Sequence, residues 1–261
     1  MRRVAALIAA VVIAVAVVEV APVAAASPSA AQKVRWQQRV RDAVQFLHSR
    51  AGAASFAVVD ERRRVHGRGA DVPYSSASLV KAMLLVAYLQ RRDVRNRKLR
   101  GSERRLLAPM IRISNNDAAT AVYARVGPDG LVRLARRAGM RGFVPNPVWG
   151  GCQVTARDQA RFFSRIRRLV PRPHRRYALG LLRGVVSYQR WGIPQGAPRG
   201  WRLYFKGGWF ADEEGGRVHQ AARLERGGRR LSIAVLTRGN PSLEYGADTI
   251  TGVTSRLLHG V

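Results

Sequence analysis

The chain is 261 residues long, 47% hydrophobic by composition, and carries 46 lysines and arginines against 16 aspartates and glutamates, a formal net charge of +30. That length and apolar content bury a domain-sized core, which excludes a chain disordered over most of its length; one domain with two lobes is expected. The arginines are spread over "ERRRVHGRG", "RRDVRNRKLRGSERR", "RFFSRIRRLVPRPHRR" and "ERGGRR" with no single stripe, zinc-ligand spacing or aromatic-studded strands, so no specific nucleic-acid module is expected.

The N-terminus reads as an export signal. "MRR" is a short cationic start, "VAALIAAVVIAVAVV" is a continuous apolar run, and Ala24 and Ala26 are small, so residues 1–26 are expected to be a secretory signal peptide and 27–261 the mature domain. Glu19 and Pro22 interrupt the run before the roughly 20 residues of a spanning helix. A secreted or extracytoplasmic protein is expected, with an uncleaved membrane anchor as the alternative. For such a protein the basic surface is a solvated one, and anionic envelope polymers are the polyanions it would meet. The lone Cys152, in "WGGCQVT", has no internal disulfide partner and is far from the N-terminus, so a small buried residue is expected there.

In "QKVRWQQRVRDAVQFLHSR", Val34, Val40, Val44 and Leu47 fall on one face at helical spacing. "SFAVVD" and "RRRVHGRG", joined at Asp60 and Glu61, read as a hairpin, and a helix is expected from about Ser78 to Gln90. The middle is helical in short pieces: "SERRLLAPMIRI", "NDAATAVYARVG", "DGLVRLARRAG", "TARDQARFFSRIRRLV" and "HRRYALGLLRGVV". The period then changes to strands in "RLYFKGGW", "RVHQAARLE" and "RRLSIAVLTRG", with Gly227 and Gly228 as a hairpin turn, and "EYGADTITGVTSRLLHG" is a last helix. This order predicts an α/β (α+β) protein: an antiparallel sheet of about five strands drawn from residues 33–72 and 200–261, flanked by the terminal helices, and a mainly helical lobe over 73–199.

The cations of this chain are arginine except at Lys33, Lys81, Lys98 and Lys206. In "PYSSASLVKAMLLVAYL", Ser78 and Lys81 stand three apart at a helix start and share a face, so their side chains can touch. A serine hydroxyl is a poor nucleophile until a base takes its proton. A desolvated amine can be that base, whereas a guanidinium cannot lose its proton in a protein. The helix start adds free N–H groups for a developing oxyanion.

Two further motifs follow in order: Ser114-Asn115-Asn116 between two helices, and Lys206-Gly207-Gly208 inside a strand. S-x-x-K, S-x-N and K-x-G form the motif set of the penicillin-recognising serine enzymes, and from about residue 33 to 258 the chain resembles that family, the class A β-lactamases and penicillin-binding proteins. The resemblance implies that Ser78 is acylated with Lys81 as general base, that Ser114 relays a proton to the leaving nitrogen, and that Asn116 binds the substrate amide while holding Lys81. It implies that Lys206 attracts the substrate carboxylate, that the N–H groups of Ser78 and Trp209 form the oxyanion hole, and that Gly207 and Gly208 let substrate lie against the strand. The substrates implied are β-lactams or cell-wall D-alanyl peptides, with no cofactor, and the protein is expected to be a monomer. The alternative is a weakly active member that binds envelope polyanions through its basic surface.

Three departures accompany the resemblance. The third motif is K-G-G, without the hydroxyl residue most members carry in the middle. The interval from Lys81 to Ser114 is short. The loop "GFVPNPVWGGCQVT", where class A enzymes carry the glutamate that activates the deacylating water, has no carboxylate. The acids between Asn116 and Lys206 are Asp117, Asp129 and Asp158, and Asp158 reads as the capping-box partner of Thr155. Asp117 and Glu213 stay open as carboxylates that the fold carries to the site. His48, His66, His174, His219 and His259 show no metal spacing, so no metal is expected. A Ser-His-Asp triad through His66 or His219 stays open on the sequence.

Overall fold

The structure is a computed structural model and describes residues 28–213 and 215–261; the expected signal peptide lies outside the described residues. Helix α1 (Pro28–Leu47) leads into β1 (Ala53–Val59) and β2 (Val65–Arg68), and α8 (Leu243–Leu257) ends the fold. Between them come β3 (Pro73–Ser75), a 3-10 turn (Ala77–Val80), α2 (Lys81–Leu89), α3 (Gly101–Arg112), α4 (Asn116–Ala138), β4 (Gln153–Thr155), α5 (Ala156–Leu169), α6 (Arg175–Arg183) and α7 (Ile193–Gly196). Strands β5 (Arg202–Asp212), β6 (Gly215–Arg226) and β7 (Arg229–Asn240) complete a five-stranded sheet of order β2-β1-β7-β6-β5, antiparallel throughout.

Both faces of this sheet are covered, which is why residues 56–59 of β1 read as a continuous apolar run instead of an alternating one. On one face α1 and α8 pack against each other and enclose Trp36, Ala43, Phe56, Phe205, Ile233 and Val253. The other face meets α5 and, beyond it, the core built around α2. The buried stripe of α1 differs from the expected one at its start: Val34 is 57% exposed and Trp36 is 3% exposed. Trp36 is the larger apolar surface, and it stacks on His66 of β2 at 4.9 Å.

The β6–β7 turn has positive φ at both Gly227 and Gly228, which is the backbone a two-residue hairpin demands. Helix α4 joins the two expected pieces, and its path breaks at Gly127, φ 67°, with Pro128 restarting the helix. The small sheet of β3 and β4 was not expected, since three residues per strand are too few to show a period.

Candidate active site

Ser78 lies in the 3-10 turn that opens into α2, partly exposed, with Ala77, Leu79 and Val80 buried around it. Edge strand β5 runs close beside this turn. A Cβ on Gly208 would sit 2.8 Å from Ser78 N and 2.6 Å from Leu79 N, so glycine is required there for the strand to approach the serine backbone. The contact sets the amide of Ser78 beside the strand that continues to Trp209. Three non-glycine residues among those described have positive φ; two of them are Ala77 (45°), next to Ser78, and Ser114 (59°). Such conformations cost about 1–3 kcal/mol each and persist where the surroundings fix them.

Lys81, Ser114, Asn116 and Lys206 come together. Lys81 Nζ donates to Asn116 Oδ1 at 2.7 Å and to Ser114 Oγ at 3.2 Å, and also to the Ser114 carbonyl. Lys206 Nζ donates to Ser114 Oγ at 3.1 Å and to the Gly207 carbonyl at 2.6 Å. Ser114 Oγ therefore bridges the two lysines, with one proton of its own to give. Both lysines are fully buried. Desolvation lowers the Lys81 pKa to about 8; it lowers Lys206 well below the ordinary lysine value, and the nearby Lys81 charge adds to that. Ser78 and Lys81 share a helical face as expected, yet no hydrogen bond joins their side chains. An ammonium has three donors, and the three acceptors from Ser114 and Asn116 take them all.

Sequence reasoning missed two tryptophans. The indole of Trp149, in the loop that lacks a carboxylate, lies 4.7 Å over Lys81 Nζ and donates from Nε1 to Thr120 Oγ1 at 3.1 Å. Ser76 pins this loop beside Ser78: its amide donates to the Cys152 carbonyl at 2.8 Å, and its hydroxyl reaches the carbonyls of Trp149 and Gly150. Cys152 itself is buried. Trp191 explains the K-G-G motif. A Cβ at Gly207 would lie 3.3 Å from its ring, so the space of the usual middle side chain is filled from a neighbouring loop that Gln220 holds through Trp191 O and Ile193 N. Both lie far from the three motifs in the chain, so nothing local in the sequence marks either as a wall of the site.

Asp158 departs from the expected capping box. Thr155 accepts from the Asp158 amide at 3.1 Å as an N-cap, but the Asp158 carboxylate accepts from the amides of Arg141 (3.1 Å) and Gly142 (2.7 Å). The two turn amides satisfy both carboxylate oxygens at once, where the N-cap amide of a capping box would satisfy one. Asp117 and Glu213 are exposed, and neither is among the partners of Lys81, Ser114 or Lys206. The two open histidines are occupied elsewhere. His66 pairs with Asp60 at 2.9 Å. His219 bonds to Ser75 O (3.0 Å) and the Thr237 amide (3.2 Å), with its pKa lowered to about 4 by burial. Neither offers a nitrogen to Ser78.

The fold has known counterparts. A β-lactamase from Sphaerobacter thermophilus superposes with a TM-score of 0.72 at 20% identity, over 85% of this chain and 96% of that one. The structure titled PBP-A gives 0.70 at 19%, over 86% and 94%. A class A β-lactamase from Mycobacterium abscessus gives 0.69 at 18%, over 84% and 98%. At these identities the likeness is one of fold. No curated protein matches the chain in sequence. The model of the β-lactamase enzyme family matches residues 95–261, well over half of the sequence, and the chain belongs to that family, with the class A β-lactamase fold.

Proposed function

We propose that the chain is an exported active-site serine hydrolase or acyltransferase that forms an acyl-enzyme on Ser78 with β-lactams or D-alanyl peptides and releases it slowly. The observation that carries this reading is the pair of buried lysines joined through Ser114 Oγ beside a serine at a helix start. With its pKa near 8, Lys81 is neutral in a useful fraction of molecules at neutral pH, and its lone pair takes the Ser78 hydroxyl proton. Ser78 Oγ bonds to the substrate carbonyl carbon, whose oxygen becomes anionic between the N–H groups of Ser78 and Trp209. Collapse breaks the carbon–nitrogen bond. The leaving nitrogen takes the Ser114 hydroxyl proton, and Ser114 recovers one from the Lys81 ammonium.

Lys206 would meet the substrate carboxylate. Burial pushes this amine toward its neutral form, and an arriving carboxylate reverses that push, so capture draws a proton onto Lys206. Release is another matter. The Asp158 carboxylate is bound to two amides, and the loop beside Lys81 presents the Trp149 ring and no acid. Loss of a general base is typically worth about 10²- to 10⁴-fold, enough to extend a sub-second ester to minutes.

Intact-mass spectrometry after mixing with excess penicillin tests both steps. The expected result is one adduct, on Ser78, that persists for minutes. Fast turnover with no adduct would sink the slow release, and neither adduct nor turnover would sink the acylation.

A further inference from the structure

At the C-terminal end of α2 the surface holds two adjoining depressions of about 540 and 590 Å³ that share Gln90, Arg95 and Arg137. Among the described residues they are lined together by nine arginines and a single acid, Asp93. That acid is already clamped by Arg91, at 3.0 and 3.1 Å. Arg137 is held by Gln90 Oε1 at 3.0 Å and Arg165 by the Ala138 carbonyl at 2.8 Å. The side chains of Arg92, Arg95, Arg133 and Arg168 are exposed and make no hydrogen bond or ion pair with the described residues.

Helix ends explain part of this charge. The C-termini of α2, α4 and α5 supply about half a negative charge each, which falls well short of nine arginines. The remainder is uncompensated charge in a concave site, where low-dielectric walls focus the potential. Helix α4 packs against both α2 and α5. Gln90, at the end of α2, donates to the Leu169 carbonyl at the end of α5 at 2.7 Å and accepts from Arg137 at the end of α4, so the three helix ends converge where the two depressions meet, and at about 540 and 590 Å³ the pair holds more than one phosphate. Guanidinium forks bind phosphate oxygens in pairs. Among the described residues no aromatic ring lines the groove, so these offer nothing on which nucleobases could stack. We infer that this groove is a binding site for a base-free phosphate polymer, a linear chain of phosphate or phosphodiester groups. Lys81 and Gln90 are nine residues apart on α2, about 14 Å at 1.5 Å per residue, so the groove is separate from the Ser78 site. The inference stands independently of the serine chemistry.

The test uses short inorganic polyphosphate and measures Kd against salt for the full chain. Replacing Arg92, Arg95, Arg133 and Arg168 together by glutamine is compared with replacing Arg41, Arg105, Arg199 and Arg230, which removes the same net charge elsewhere. The groove variant is expected to bind at least tenfold more weakly, with a log–log salt slope shallower by about 3 at roughly 0.7 per lost contact, while the control stays within threefold of the parent. Equal loss in both variants, or no binding by the parent, overturns the proposal. So does an oligothymidylate of equal charge that binds the groove as tightly, which would assign it to nucleic acid. Arginine-selective dicarbonyl labelling of the unmodified protein gives an answer even where a variant does not fold. Polyphosphate should protect Arg92, Arg95, Arg133 and Arg168 first, and uniform protection across the surface overturns the site.

Discussion

The two ends of α2 carry the same sign of charge in opposite forms. Where the helix begins, Lys81 faces Lys206; both are fully buried, and desolvation pushes both toward losing a proton. Where it ends, the cations are arginines, half-buried at Arg91 and exposed at Arg92 and Arg95, and all permanently charged. Burial makes a lysine titratable, whereas a guanidinium resists deprotonation at either end. A chain that writes 42 of its 46 cations as arginine has therefore kept lysine at both positions of a buried place where two cations meet.

The largest expected effect comes from erasing that distinction. Lys81→Arg keeps the charge and the helix propensity and removes the proton acceptor, so acylation by penicillin should fall about 10³-fold. A thermal melt controls for overpacking by the larger guanidinium, which would cost about 1–3 kcal/mol in a filled core. A folded variant that is acylated at the parental rate would show that Lys81 is not the base.

A smaller and more selective effect is expected at the facing lysine. Lys206→Ala should weaken capture of carboxylate-bearing substrates by about 10- to 100-fold, the size of a charged hydrogen bond, and that of neutral esters by less than threefold. Comparing kcat/KM for an acid and its methyl ester measures it. Equal loss on both would make Lys206 a partner of Ser114 alone.

These contrasts were unevenly legible in the sequence. The motifs were readable because Ser78–Lys81 spacing, the S-x-N turn and the K-G-G strand are local, and the sheet was readable because its strands are apolar or alternating runs with glycine turns. That Ser114 Oγ lies within reach of both lysines depends on bringing residue 206 to residue 114, which no local period encodes. Trp149 and Trp191 enter from loops whose course is set by Ser76 and Gln220, so their roles had no periodic signature at all. Asp158 was read correctly as bound but to the wrong donors, because the 141–142 turn is distant from the helix start in sequence and adjacent in space.

The smallest expected effect tests whether the titratable end of α2 is tuned by its aromatic cover. The Trp149 ring over Lys81 Nζ offers the negative face of its quadrupole, which favours the ammonium by about 0.5–2 kcal/mol, or up to about one pKa unit after discounting for partial exposure. Burial acts in the opposite sense and wins, leaving the pKa at about 8. Trp149→Leu keeps an apolar cover and removes the π face, so the ammonium loses support and the Lys81 pKa should move further down. In the proposed mechanism a neutral Lys81 is the reactive form, so the parental acylation rate should rise with pH through about 8, and in the variant that limb should shift to lower pH by up to about one unit. At pH 7 the variant should therefore acylate a few times faster than the parent, although it loses the indole bond to Thr120. Stopped-flow acylation across pH 6 to about 9 resolves this; an unmoved limb would show that Lys81 does not feel the ring, and a shift to higher pH would show that the leucine lets water in.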